Sequence, residues 1–192
     1  MVTWGFLHGM DYQKLFDQCK RNERSAQKAL YDHFKGKLMG LCRRYAKDRD
    51  DAKDMLQETF IKIFSRIDQV EKAEGLEAWM KTIAVNTAID HYNRKKRTMM
   101  TSSEEQVNVA DTAYELILDN LTDEYLIRVI NELPEGSRIV FNLAVVEGYS
   151  HAEIAGMIGI SESTSRSQLH YAKQLLKEKL NRLGIQRYEK FA

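Results

Sequence analysis

The chain is predicted to be all-α, built as two small helical domains joined by an acidic linker. Three observations carry that expectation. Only one proline and ten glycines interrupt 192 residues. Good helix formers (Leu, Ala, Lys, Glu and Gln) are frequent. Apolar residues recur three and four apart, the period of a helix with one buried face, rather than at every second position.

Residues 10–97 read as the first domain, a small helical bundle. Tyr12, Leu15, Phe16 and Cys19 form its first stripe, and Leu30, Phe34, Leu38, Leu41 and Tyr45 the second. The third is unbroken: Ala52, Met55, Leu56, Thr59, Phe60, Ile63, Phe64 and Ile67. A loop over roughly Asp68 to Gly75 follows. Leu76, Met80, Ile83, Ala84, Thr87 and His91 make a fourth stripe, whose helix runs into Arg94, Lys95, Lys96 and Arg97.

Residues 98–121 change character. They hold Glu104, Glu105, Asp111, Glu115 and Asp119 but no Lys or Arg, and read as an acidic linker with a short helix near Tyr114–Leu118. Residues 122–192 form the second domain. Thr122 can cap a helix running through Ile130 and Leu133. Pro134 suits the first turn of the next helix, where its missing N–H costs nothing. Ile139, Val140, Leu143 and Ala144 face inward there, and Gly148 ends that helix. Ser150 with Glu153 is a capping box opening another helix, which buries Ile154, Ala155 and Ile158 and breaks at Gly159. Ser161 caps a long last helix, with Leu169, Ala172, Leu176, Leu180 and Leu183 inward.

The net charge of +1 gives the whole molecule no strong pull on nucleic acid, so any such contact rests on local segregation of charge. Cys19 and Cys42 are the only cysteines. They are expected as reduced thiols, at least one in a core, because no Cys/His cluster has metal-ligand spacing. No metal or other cofactor is expected. No stretch is apolar enough to span a bilayer, so no membrane insertion is expected. The opening MVTWGFLHGM lacks a basic start and a long apolar run and is not read as a secretory signal. Met10 reads as an alternative start, and a cytoplasmic protein is expected.

Short helix, glycine-containing turn, long helix is the arrangement that lays a second helix in the DNA major groove. At roughly 100° per residue, the last helix carries Ser163, Thr164, Ser167, His170, Tyr171 and Gln174 opposite its leucines. Arg166, Lys173 and Lys177 flank that face. Short hydroxyls and ring nitrogens can meet base edges, while flanking cations meet phosphates. The same face would also suit the solvated side of an ordinary helical hairpin.

Three ordered segments narrow the choice. DAKDMLQETFIKIFSRID (51–68) resembles region 2.2 of bacterial sigma factors, and WMKTIAVNTAIDHYNRKKR (79–97) resembles regions 2.3 and 2.4. Residues 133–180, from Leu133 to Leu180, resemble region 4. The short span between them is similar to that of the extracytoplasmic-function (ECF) group.

The resemblance implies a sigma-2-like four-helix bundle and a sigma-4-like helix-turn-helix domain. It implies that core RNA polymerase and promoter DNA are the partners, and that transcription initiation is the activity. The family's D-x-x-Q-E pattern, matched by Asp54, Gln57 and Glu58, implies docking on the clamp coiled coil of the largest polymerase subunit. The second domain would sit at the polymerase flap. The I-A-x-N motif is matched by Ile83, Ala84, Val85 and Asn86, which implies that Asn86 and the loop at 67–77 receive a base flipped from the separated −10 strand. An amide both donates and accepts toward an extruded base edge. Thr82 and Asn93 share the polar stripe of that helix with Trp79, and Arg94, Lys95, Lys96 and Arg97 would meet phosphates. The −35 duplex contacts map to Arg166, Ser167, His170 and Tyr171, with Ser163, Thr164 and Lys173 alongside. The family often has a basic residue where Tyr171 stands and a valine where Ser165 stands. Members of the group are commonly held inactive by an anti-sigma factor that covers both domains, which adds such a factor to the partners to test. The family's linker passes through the polymerase cleft, where acidic side chains would mimic nucleic acid; a plain tether is the alternative.

From the residues alone, three simpler readings stand beside these. Asp54, Gln57 and Glu58 also suit a solvated face, Asn86 a cap or core amide, and residues 94–97 a solvated basic run. Two other functions compete. One is a stand-alone dimeric helix-turn-helix regulator, which has no need of a D-x-x-Q-E face beside a single-strand-reading helix. The other is an enzyme with a metal site at Asp48, Asp50, Asp51, Asp54 and Glu58. No His, Lys or second carboxylate cluster completes that site, so catalytic residues are not expected.

Overall fold

The computed structural model describes residues 12–101 and 123–182. Among them there is no strand. The opening residues with Met10, the expected helix near Tyr114–Leu118, Thr122 and Leu183 lie outside the described residues. The chain divides into two compact units: residues 1–43 with 48–88, and residues 44–47 with 89–192.

The first unit begins with α1 (Tyr12–Lys20), which buries Leu15, Phe16 and Cys19. Asn22 stops it at φ 59, a left-handed conformation that asparagine tolerates better than most residues, and its N–H reaches Cys19 O at 2.9 Å. Helix α2 (Arg24–Tyr45) then sends Leu30, Phe34, Leu38 and Leu41 into the core.

Asp48 opens α3 (Arg49–Arg66) by accepting from the N–H groups of Asp50 and Asp51 at 3.0 and 2.9 Å. Such a cap is worth about 1 kcal/mol. The predicted α3 stripe is buried, except that Phe64 keeps partial exposure.

The stretch read as a loop contains two short 3-10 turns, Ile67–Gln69 and Ala73–Gly75. Val70 and Ala73 anchor it from below, and Lys20 Nζ donates to Val70 O at 2.5 Å. Helix α4 (Leu76–Thr101) passes through the unit boundary at Ala88 and continues beyond Arg97, into the segment read as linker. Its buried surface is wider than one stripe, since Val85, Ala88 and Ile89 join Leu76, Met80, Ile83, Ala84 and Thr87.

The second unit holds α5 (Asp123–Asn131), α6 (Glu135–Phe141), α7 (His151–Ile158) and α8 (Glu162–Arg182). Its core packs Val129, Ile130, Leu133, Phe141, Ala172 and Leu176. Pro134 stands at the N-cap of α6, one position before the first turn. Helix α6 passes into a π-helical segment, Asn142–Val146, with Asn142 fully buried. Asn142 Nδ2 donates to Arg44 O at 2.8 Å, and the buried Arg138 donates to Tyr45 O and Asn131 O. The Arg44 and Tyr45 carbonyls lie at the end of α2 and the Asn131 carbonyl at the end of α5, where no helical N–H can reach them.

The predicted capping box is present. Ser150 Oγ accepts from the Glu153 N–H, and Glu153 Oε2 accepts from the Ser150 N–H at 2.8 Å. The Ser150 hydroxyl also donates to Glu153 Oε2 at 2.7 Å, and this bond, with the one from the Ser150 N–H, holds the Glu153 carboxyl below its ordinary pKa. Gly159 ends α7 in the left-handed region at φ 63, where a side chain would be strained. Ser161 Oγ then accepts from the Thr164 N–H at 3.0 Å and starts α8.

Candidate functional site

On α3 the core-facing stripe leaves a narrow outward one. Asp54 and Gln57 are exposed, and Glu58 is half-buried with Lys62 Nζ at 2.8 Å. Ile61, 61% exposed, lies among them. The nearby acids already have local tasks: Asp48 caps the helix, and Asp50 pairs with Lys53 at 2.7 Å. Among the described residues, no group of three or more His, Cys, Asp or Glu could hold a metal ion.

On α4, Asn86 is the one exposed residue between Ile83 and Ile89; the other six are buried. Its side chain is therefore neither a core amide nor a cap. Thr82, one turn earlier, is exposed too and hydrogen-bonds Ala78 O at 3.0 Å. Trp79 is half-buried. In the preceding loop Asp68, Glu71 and Glu74 are exposed, while Glu77 pairs with Lys37 at 3.3 Å.

The end of α4 divides. Arg94 and Arg97 are exposed. Asn93 Nδ2 donates to Met157 O at 3.0 Å, Lys95 pairs with Glu135 at 2.8 Å, and Lys96 reaches Gly159 O at 3.2 Å. A helix C-terminus carries partial negative charge, which suits a lysine at the end of α7. The sequence showed the charges of these residues but not these partners.

On α8, Ser163, Thr164, Arg166, Ser167, His170 and Tyr171 are all exposed on one side, and Lys173 is half-buried beside them. Arg166 Nη2 lies 2.8 Å from Glu162 Oε2, an exposed pair one turn apart. Such pairs contribute little, so the guanidinium can be redirected at small cost. Gln168 turns to the other side and hydrogen-bonds Ser137 of α6. Ser165 points inward and is fully buried, with its hydroxyl 2.8 Å from His151 Nδ1. Sequence reasoning missed His151. Its signal was Ser165, a hydroxyl on an inward position that needs a partner.

Residues 30–98 match the family model for sigma-70 region 2, and residues 123–176 that for sigma-70 region 4. The ECF RNA polymerase sigma-E factor of Haemophilus influenzae is 26% identical over 89% of this chain and 96% of its own length. The ECF RNA polymerase sigma factor SigL of Mycobacterium tuberculosis is 29% identical over 86% of this chain and 94% of its own. The chain belongs to the ECF group of the sigma-70 family. A solved structure, the sigma factor RpoE in complex with the anti-sigma factor NepR from Bartonella quintana, has the same fold. Its TM-score is 0.50 at 22% identity, over 80% of this chain and 96% of that one.

This sigma factor is thus a DNA-binding initiation factor that works with core RNA polymerase at promoters, and not an enzyme. The region 2 match contains all of α3 and the polar positions of α4 from Thr82 to Arg97. The region 4 match contains the whole exposed face of α8 from Ser163 to Lys173. No helix among the described residues is long and apolar enough to cross a membrane.

Proposed function

We propose that this sigma factor holds core polymerase through Asp54, Gln57 and Glu58 on α3 and reads two promoter elements with separate helices. Helix α4 reads the −10 element as separated strand, with Asn86 and Thr82 at its base-reading part. Arg94 and Arg97, both exposed, follow the backbone together with Asn93, Lys95 and Lys96, each exchanging its present contacts for phosphate. Helix α8 reads the −35 element as duplex through Arg166, Ser167, His170 and Tyr171, flanked by Ser163, Thr164 and Lys173.

The observation that carries the reading is the exposure of Asn86 within an otherwise buried run of α4. A helix that turns one amide outward among six core residues presents a hydrogen-bonding group at a defined position, with little freedom to move. Exposed hydroxyls, a histidine and a guanidinium along one side of α8 supply the groups that duplex readout requires. An anti-sigma factor, of the kind bound in the Bartonella structure, is a candidate partner for the same faces.

The test is transcription by purified protein with core polymerase on genomic DNA, followed by permanganate footprinting of the promoter found. Specific starts that core alone does not make, with reactive thymines around −10, are the expected result. Failure to bind core, or binding as an isolated dimer to a palindrome, defeats the reading.

A further inference from the structure

We infer that Ile61 is the apolar anchor of the polymerase-docking face, so that docking on α3 is not a purely polar contact. The inference rests on the docking role proposed above for Asp54, Gln57 and Glu58.

Ile61 is 61% exposed, and no other described large hydrophobic is more so. A lone exposed isoleucine needs no explanation; its place in a pattern does. Successive residues of a helix turn by roughly 100°, which puts Ile61 within about 20° of Asp54 and about 40° of Gln57. The isoleucine therefore stands in the middle of the D-x-x-Q-E stripe, with Gln57 one turn before it and Ser65 one turn after.

Folding gives no reason for it. The α3 core is complete without it, since Ala52, Met55, Leu56, Thr59, Phe60 and Ile63 are buried. A β-branched residue is also a poorer helix former than the polar residues around it.

The apolar surface does not stop at Ile61. Phe64, three residues on, is half-buried and stacks on Phe60 with ring centroids 5.8 Å apart. Phe60 in turn meets the exposed Tyr31 of α2 at 4.6 Å. An aromatic flank thus lies on one side of the stripe and the Glu58–Lys62 pair on the other. An apolar centre inside a polar rim is how protein interfaces concentrate their affinity, because the rim excludes water from the middle.

The occupant is the polymerase element that docks on Asp54, Gln57 and Glu58, and the inference requires it to present an apolar side chain opposite Ile61. The two contributions separate by salt. Ionic contacts weaken as salt screens them, whereas apolar burial does not.

Core-binding affinity is measured for the full chain across a salt series, with the variants Ile61→Ala, Ile61→Leu and Asp54→Asn/Glu58→Gln. Ile61→Ala is expected to weaken binding about tenfold at every salt concentration, as removal of a central anchor does. Ile61→Leu retains most of the affinity. Asp54→Asn/Glu58→Gln weakens binding at low salt and flattens the salt dependence. Circular dichroism melting checks that Ile61→Ala leaves the fold intact, as its exposure predicts. Wild-type affinity in Ile61→Ala, with a loss in Asp54→Asn/Glu58→Gln, overturns the anchor while leaving the docking face in place. Unchanged affinity in all variants removes the docking face itself.

Discussion

His151 Nδ1 lies 2.8 Å from Ser165 Oγ, and this pair joins the two helices of the helix-turn-helix. His151 is the first residue of α7, and Ser165 lies on the inward side of the first turn of α8. The angle between the helices decides how the outward groups of α8 meet a groove. The bond ties the two helices at that point, and Ser165 fills an inward position without leaving a buried hydroxyl alone.

Ser165→Ala is expected to cost about 1–3 kcal/mol, since it strips a half-buried ring nitrogen of its partner. Urea unfolding of the full chain measures this. The double variant His151→Leu/Ser165→Val replaces both polar groups with apolar ones and should recover most of the loss, with −35 duplex affinity following. Equal losses in the single and double variants count against a specific pair.

Asn86→Ala is expected to leave stability within about 0.5 kcal/mol, because the residue is exposed. Open-complex formation should fall well beyond any loss in closed, duplex binding. Parallel permanganate reactivity and gel-shift titrations separate the two. Equal losses in both remove the flipped-base role.

Arg166→Ala is expected to weaken binding to the −35 duplex by about 1–3 kcal/mol and to relax preference at one base pair, if the guanidinium makes a bidentate base contact. The Glu162 pair does not oppose this, being exposed and easily exchanged. Titration against a set of single-base variants at fixed salt is the measurement. A loss uniform across sequences, with a reduced salt slope, marks a phosphate contact instead.

Cys19 should be inert in the folded chain. Its side chain is fully buried, and burial followed by the nearby Glu23 carboxylate raises its pKa from an ordinary 9.0 to about 11. The folded protein thus holds a neutral thiol where the unfolded chain would ionise. Its contribution to stability is complete below about pH 9 and is lost as pH rises toward 11. Alkylation at about pH 8, followed by peptide mapping, should label Cys19 only after denaturation. Rapid labelling of the native chain contradicts this.

The helices were legible where burial is one-sided. The α3 stripe could be read letter by letter because each of its turns has one wet and one dry side. Helix α4 could not be read in full. Val85, Ala88 and Ile89 are buried in addition to the predicted stripe, and a helix covered on several sides loses its period. Val70 and Ala73 were hidden in an acidic loop for a related reason, since single anchors have no spacing to reveal them. The π-helical turn at Asn142–Val146 has no composition of its own. Capping residues were plain, because Ser150, Glu153, Gly159 and Ser161 act within a few residues of chain. Partners distant in sequence were not: Asn93 with Met157, Lys95 with Glu135 and His151 with Ser165 exist only once the chain has folded. Motif resemblance supplied the candidate Asn86, and packing alone showed which way it faces.

The one outward position within residues 83–89 of α4 bears on what holds such a motif in place. Ile83, Ala84, Val85, Thr87, Ala88 and Ile89 are each screened by the volume of their neighbours, so most codon changes there are removed by misfolding. Position 86 escapes that screen. An asparagine kept at 86 among descendants is therefore held there by what it contacts and not by the bundle, which would accept other side chains at that point.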